Sequence, residues 1–375
     1  MLANVSRKIW CVEDGHNHFE DFADFNDWLD AKLEITFVRD AVSQRLAQSS
    51  KALYAGDKEA YQQAFAEYRL ARRNECLCQT YLNELCKDKH WSERNEQHFD
   101  QLIERLLSGE VVPFVGAGIS QPGGFKTWKD HLKDQGRTAG IPPDEIEQIL
   151  GAGQYELLID RIENGIGRDV FIQEIRDSFA KTGTITEVNY LLAEMFSDTI
   201  ITTNYDRLLE LAYDTGGMHE RQVLTPSNIA DAPDVGRTTI VKLHGDIKNP
   251  AGCILGKADY DAAYGETAID LTLPVPRLLS YYFTNSSLLF LGCGLNQDRT
   301  IEVFRAIKAS MARDAFLPQH FSIEQCPETE DGIVLRNAYL AKLGITPIWF
   351  QAGQFQLVED ILRMAGNEIR YKVGI

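Results

Sequence analysis

The chain has 375 residues, of which 44% are apolar and 25% charged, and it carries a net charge of −17 at neutral pH. It is long enough for about two domains with a sizeable core, and its composition is that of a globular protein. The acidic excess argues against direct nucleic-acid binding, which needs Lys and Arg to neutralise phosphates, but leaves room for one small basic pocket.

No apolar run reaches the roughly 18 residues needed to cross a bilayer, so no membrane span is expected. The N-terminal Met1–Lys8 stretch leads into no hydrophobic segment. The seven cysteines (Cys11, Cys76, Cys78, Cys86, Cys253, Cys293 and Cys326) are odd in number and scattered. Together these point to a reducing cytoplasm rather than a disulfide framework.

Residues 1–98 read as a separate helical region. Phe22, Phe25, Trp28, Leu29, Leu33 and Phe37 recur at helical spacing, and Glu34 to Val42 continues the same face. Gly56-Asp57 breaks the pattern. A second helix is predicted from Lys58 to Lys87, with Tyr61, Phe65, Tyr68, Leu77, Tyr81 and Leu85 facing inward. Two such helices would form an N-terminal hairpin for assembly or partner binding. His16-Asn17-His18, near Glu13, Asp14 and Asp21, matches no strong metal-site spacing and reads as a polar loop. Cys76-x-Cys78 with Cys86 lacks paired Cys-x-x-Cys spacing, so these read as free thiols on a helix, and no metal is expected.

Residues 99–375 read as a second domain. A helix carrying Phe99, Leu102, Ile103, Leu106 and Leu107 leads through Ser108-Gly109 into Val111-Val112-Pro113-Phe114-Val115-Gly116-Ala117-Gly118-Ile119-Ser120. The apolar run is that of a strand covered on both faces. Gly116 and Gly118 allow a tight turn and close approach to a ligand, and Ser120 is placed to cap a following helix whose N-terminus attracts phosphate. The stretch reads as a nucleotide-pyrophosphate turn. Both common phosphate fingerprints fail, since Gln121 stands where a third glycine belongs and Gly123 is followed by Gly124 and Phe125.

Between about residues 126 and 196 the pattern is helical, with Pro142-Pro143-Asp144 starting one helix. This is an inserted helical module. Strands are then predicted at Thr199–Thr203, Thr239–Leu243, Ser287–Leu291, Gln319–Ile323 and Thr346–Phe350. Helices are predicted at Arg207–Tyr213, Arg277–Phe283, Thr300–Met311, Gly332–Leu343 and Leu357–Ala365. The alternation predicts an α/β fold with a Rossmann-like, doubly wound parallel sheet. Four strands end in polar or glycine clusters: Gly116-Ala117-Gly118, Asn204-Tyr205-Asp206, His244-Gly245-Asp246 and Gly292-Cys293-Gly294. Ligands of open parallel sheets bind beyond the carboxyl ends of the strands, so the four clusters are expected to share one crevice.

These clusters, as Gly116-Ala117-Gly118-Ile119-Ser120, Thr203-Asn204-Tyr205-Asp206, Lys242-Leu243-His244-Gly245-Asp246 and Phe290-Leu291-Gly292-Cys293-Gly294-Leu295, stand in sirtuin order. Over about residues 105–366 the chain resembles the bacterial sirtuin-like, NAD-consuming branch found in antiphage defence. It departs from the deacylase sirtuins, because the region after His244 holds only Cys253 in place of a four-cysteine zinc ribbon. Gly124-Phe125-Lys126-Thr127-Trp128 replaces the usual Pro-Asp-Phe-Arg segment, Tyr205 replaces an aliphatic residue, and Cys293-Gly294 replaces Thr-Ser.

The resemblance implies an NAD+ glycohydrolase that releases nicotinamide and ADP-ribose, with NAD+ as substrate and no zinc. Asn204 would position water or the ribose hydroxyls, His244 would act as general base, and Asp206 would hold the nicotinamide carboxamide. Gly116, Ala117, Gly118 and Ile119 would cradle the pyrophosphate and nicotinamide end, with Phe125, Trp128 and Thr203 also at the site. Gly292, Gly294 and Asn296 would line the adenosine side. Asp246 and Asp298 read as caps, and Cys293 as a small residue beside a ribose. The family also implies gating by a HerA-type ATPase, or less directly by an Argonaute-type protein, and a homo-oligomer built partly through residues 1–98. A non-enzymatic NAD+ or ADP-ribose sensor, a protein deacylase, an ADP-ribosyltransferase and a cyclising enzyme are the alternatives.

Overall fold

The computed structural model describes residues 19, 22–33, 36–39, 42–45, 49–87, 90–216, 220–229, 236–296, 298–312 and 316–373. The His16-Asn17-His18 loop lies outside them. The chain divides into two compact units, one of residues 1–103 with 360–375 and one of residues 104–359.

The first unit departs from a two-helix hairpin. Helix α1 (Ala23–Lys32) ends where helical periodicity was expected to run on. Strands β1 (Thr36–Arg39) and β2 (Val42–Arg45) follow, paired antiparallel. The β-branched Thr36, Val38 and Val42 favour extended backbone, and this outweighs the helical spacing of the aromatics. Helices α2 (Ser49–Gly56) and α3 (Lys58–Cys76) come next, with Asp57 capping α3 by accepting from the Ala60 N–H at 3.0 Å. Cys78, in the left-handed region at φ 47°, then separates α3 from α4 (Gln79–Leu85), so the expected single helix over 58–87 is two. The aromatics pack as a core in which Phe25 meets Tyr61, Phe65 and Tyr68 at centroid distances of 5.0–5.4 Å.

Helix α5 (His90–Leu107) leads to the second unit, whose seven-stranded sheet is parallel throughout. In chain order its strands are β3 (Val111–Val115), β4 (Thr199–Thr202), β5 (Arg221–Leu224), β6 (Thr238–Lys242), β7 (Ser287–Leu291), β8 (His320–Gln325) and β9 (Ile345–Phe350). Their spatial order is β5-β6-β4-β3-β7-β8-β9. The sheet is Rossmann-like, as expected. β5 is the strand that sequence reading missed, since its Arg221-Gln222-Val223-Leu224 is a short, half-polar edge segment.

Between β3 and β4 lie α6 (Ala117–Ser120), α7 (Trp128–Thr138), α8 (Pro143–Gly151), α9 (Tyr155–Ile166), α10 (Arg168–Phe179) and α11 (Glu187–Met195). This is the expected run of helices, with Pro143 at the first turn of α8. The remaining helices are α12 (Leu208–Gly216), α13 (Lys257–Tyr264), α14 (Pro274–Asn285), α15 (Arg299–Ser310), α16 (Glu330–Leu343) and α17 (Leu357–Val373). From β3 the chain builds β4, β6 and β5 on one side, then returns to lay β7, β8 and β9 on the other. The topological switch point is therefore at β3, and the four clusters lie at its mouth.

Lys242, the last residue of β6, is fully buried. Its ammonium donates to the Asp206 carbonyl at 2.6 Å, the Glu210 carboxylate at 2.9 Å and the Tyr205 carbonyl at 3.2 Å. Three donors meet three acceptors, and β6 is thereby tied to the loop after β4. Lys242→Met would strip the buried Glu210 carboxylate and the Asp206 carbonyl of their closest donor, leaving Glu210 only Arg207 at 3.9 Å, and is expected to cost about 3–5 kcal/mol. Glu210→Gln keeps an acceptor and should cost less. Denaturant unfolding of both variants checks this, and equal midpoints would refute it.

His320, fully buried at the start of β8, accepts from the Leu288 N–H through Nδ1 at 3.1 Å and stacks on Phe283. Burial, with some help from the Lys308 charge, lowers its pKa from 6.5 to about 3. The folded form therefore stays neutral while the unfolded chain takes up a proton below pH 6.5. The associated stability is intact above that pH and is lost as pH falls toward 3. Between pH 7 and 5 the loss should amount to about 2 kcal/mol, and His320→Asn should flatten the stability curve by that amount. Superimposable slopes in pH-dependent melts would refute this.

Candidate functional site

A cavity of about 1310 Å3 opens at the carboxyl ends of β3, β4, β6 and β7. It exceeds the roughly 300–1,000 Å3 of ordinary ligand clefts. The structure brings Gly116, Ala117, Gly118, Ile119, Trp128, Thr203, Asn204, Asp206, His244, Gly292, Gly294 and Asn296 to its walls. Phe125 is the exception. It is only 3% exposed, lies outside the cavity lining and stacks on Phe179 within the core of the helical module. It is large and apolar, and a dry pocket between helices was open to it.

The glycines, which line the cavity, also let two turns meet. The Gly116 N–H donates to the Leu291 carbonyl at 2.8 Å and the Gly118 N–H to the Gly292 carbonyl at 3.0 Å. A Cβ on Gly116 would lie 2.6 Å from the Gly292 oxygen, and one on Gly118 would lie 2.9 Å from the Gly292 Cα. Gly292 has φ +63°, and its own Cβ would stand 2.7 Å from the Ile119 nitrogen. The turns after β3 and β7 are thus pressed backbone to backbone, which glycine alone permits.

Ser120 does not cap a helix. It closes the single turn of α6, and its hydroxyl accepts from Asn204 Nδ2 at 2.9 Å. That amide also donates to the Gly116 carbonyl at 3.0 Å. Because a carbonyl only accepts, the amide orientation is fixed, with both Nδ2 hydrogens engaged. Oδ1, which has no partner among the described residues, is what Asn204 offers the cavity. The Asn204 backbone is held in turn by its N–H on Thr202 Oγ1 at 3.0 Å.

His244 follows β6. Its Nε2 lies 3.0 Å from the Tyr264 hydroxyl, and its ring meets Tyr260 edge-on at 5.3 Å. Its surroundings push its pKa from 6.5 down to about 4, so the imidazole is neutral at pH 7. Asp206 accepts from the Leu208 N–H through Oδ1 at 3.0 Å, capping the start of α12. Trp128, at the first turn of α7, meets Tyr205 at a centroid distance of 5.4 Å. Cys293 points its sulfur at the Phe114 and Leu291 carbonyls, and burial pushes its thiol far up, so it packs rather than reacts.

Asp298 caps α15, accepting from the Ile301 N–H at 2.9 Å, and Asp246 accepts from the Lys248 N–H at 2.9 Å, as expected for both. The Asp298 carboxyl also lines the cavity, where desolvation raises its pKa to about 6.

Several residues that organise the site were not singled out from sequence. Arg336 on α16 makes a two-pronged pair with Glu324 at 2.8 and 2.9 Å and donates to the Gly294 and Leu295 carbonyls, bracing the turn after β7. Arg299 joins Glu156 of α9 to Asp261 of α13 and to the Gly265 carbonyl. Both lie in unremarkable helical patterns, so only the fold reveals them. A readable signal did exist for Lys242, as a lysine inside an otherwise apolar strand. Tyr260 and Tyr264 share a helix face by their four-residue spacing, but sequence reading missed α13 altogether. Among the described residues, no group of three or more His, Cys, Asp or Glu side chains could hold a metal ion.

Residues 198–348 match the model of the SIR2-like domain. The chain is 24% identical over 224 residues to the NAD(+) hydrolase ThsA of Acinetobacter baumannii (strain 532279), covering 60% of this chain and 44% of that protein. It is 26% identical over 219 residues to the NAD(+) hydrolase ThsA of Bacillus cereus (strain MSX-D12), covering 58% and 44%. With the Defense-associated sirtuin 2 of Bacillus subtilis it shares 22% identity over 230 residues, covering 58% of this chain and 21% of that protein. The chain thus spans under half the length of these relatives. Strand order and the meeting of the four clusters at one cavity agree with this similarity to SIR2-like domains.

Proposed function

We propose that this protein is an NAD+ glycohydrolase that cleaves NAD+ to nicotinamide and ADP-ribose and acts in antiphage defence by depleting NAD+. The observation that carries the reading is the meeting of Asn204 Oδ1 and a neutral His244 in one large cavity at the switch point. The names of the ThsA relatives support it.

Cleavage breaks the bond between the ribose C1′ and the pyridinium nitrogen. The electron pair leaves with nicotinamide, which becomes neutral, and C1′ becomes electron-poor. Water then bonds to C1′ and gives up a proton. The leaving group is good, so the site's task is to orient the ribose, stabilise positive charge and guide water. Asn204, anchored through its amide hydrogens, accepts a hydrogen bond from the water or a ribose hydroxyl through Oδ1. His244, neutral at working pH, receives the proton.

Asp206 Oδ2, which has no hydrogen-bond partner among the described residues, is placed to accept from the nicotinamide carboxamide. Gly116 to Ile119 shape the pyrophosphate side with Trp128 and Thr203 beside them, and Gly292, Gly294 and Asn296 shape the adenosine side. The six cysteines described are all unbridged, which supports a cytoplasmic location. The sequence resemblance supports a gated homo-oligomer with a HerA-type ATPase partner.

Nicotinamide release by the full chain, alone and with a co-purified ATPase partner, tests the reading. Asn204→Ala and His244→Ala should each lower turnover by about 10²-fold or more while the protein stays folded. Tight NAD+ binding without release in either setting would sink the hydrolase reading and favour a sensor. A cyclic product or a modified acceptor would redirect it to another nucleophile.

A further inference from the structure

His244 has one neighbour that the proposed chemistry does not use. Nε2 lies 3.0 Å from the hydroxyl of Tyr264, the last residue of α13. Tyr264 is fully buried, so its phenol is held by packing alone and cannot swing into solvent. Of the other phenols nearby, Tyr205 is engaged elsewhere, donating to the Ile254 carbonyl at 2.8 Å. Nδ1 of His244 has no hydrogen-bond partner among the described residues, and His244 lines the cavity.

We infer that Tyr264 is a positioning residue that sets the tautomer of His244, its hydroxyl accepting from Nε2–H, so that the bare lone pair of Nδ1 faces the cavity. The inference rests on the proposed hydrolysis, because a general base needs an unprotonated nitrogen toward the substrate and Nδ1 is the nitrogen left open. A hydroxyl can accept from Nε2–H or donate to a bare Nε2, so its direction decides the imidazole's chemistry. The reverse, with the phenol donating to Nε2, would put the proton on Nδ1 and present a donor to the cavity.

The choice of a phenol follows the same logic. Histidines are commonly oriented by a carboxylate, which fixes the ring but also favours the charged imidazolium. A neutral phenol fixes the ring without that effect. In a crowded site where the imidazole is already held neutral, it preserves a base that carries no proton before the reaction begins.

The full chain with 15N-labelled histidine tests the inference by long-range 1H–15N spectra, with His244→Gln used for assignment. The wild type should show His244 protonated at Nε2 and bare at Nδ1. Tyr264→Phe keeps the ring and loses the acceptor, so the proton should move toward Nδ1. In parallel, kcat for nicotinamide release should fall on the order of 10–100-fold with KM for NAD+ unchanged, a split that general loss of structure would not give.

Protonation at Nδ1 in the wild type overturns the inference outright, and needs no variant to fold. An unchanged tautomer and unchanged kcat in Tyr264→Phe also overturn it, while leaving hydrolysis intact. A wild type with the Nε2–H tautomer but no NAD+ cleavage would instead support the hydrogen bond and refute the hydrolase reading.

Discussion

The Lys242 ammonium is the point on which the cavity side of the sheet depends. A lysine buried without any exposure would lower its charge or draw in water unless every hydrogen met a partner. Here the partners are a carboxylate and two main-chain carbonyls, all from the segment that follows β4. The residue before that segment's carbonyls is Asn204, and the residue two beyond Lys242 is His244. One side chain therefore sets the distance between the two loops that carry both proposed catalytic groups. A buried ion pair is poor evidence of net stability, since apolar packing often does as well. Its value here is specificity of position.

A second constraint acts across the sheet from the first. The turns after β3 and β7 approach so closely that the glycine Cα atoms and carbonyls occupy the space side chains would need. This interlock gives the cavity a rigid floor, and Asn204 is then hung from it through the Gly116 carbonyl and the Ser120 hydroxyl. Arg336 braces the β7 turn from the far side. Floor, loop and brace come from segments far apart in the chain, which is how a parallel sheet assembles a site from strand ends.

Much of this was legible in the sequence, and the reason is local. Continuous apolar runs such as Ser287–Leu291 name a strand buried on both faces, and the polar or glycine cluster after each run marks where it stops. The four clusters were found that way, and they do meet. What stayed hidden is non-local. Nothing in Gly116-Ala117-Gly118 says that its pressing neighbour is Gly292 rather than a phosphate, and nothing in Ser120 distinguishes a helix cap from an anchor for Asn204. Phe125 was misplaced because an aromatic near a glycine turn suits a ligand wall and a core equally. In the first unit, aromatic spacing was read through Thr36 and Val38 as one helix, although β-branched residues there favour the pairing that forms.

The two residues proposed to act on substrate are defined by what they have already given away. Asn204 commits both amide hydrogens to the glycine turn, leaving a carbonyl oxygen. His244 commits Nε2 to Tyr264, leaving Nδ1. Around them stand the carboxyls of Asp206, Asp298 and Glu156, while the Arg299 and Arg336 guanidiniums that approach the cavity are engaged by carboxylates and carbonyls. With Asn204 Oδ1 and Asp206 Oδ2 open, the wall beside the proposed pair offers acceptors. Such a surface is ill-suited to stabilising a developing oxyanion, the usual need of acyl transfer. It would suit the proposed reaction, whose reacting carbon turns positive and whose nucleophile arrives carrying a proton.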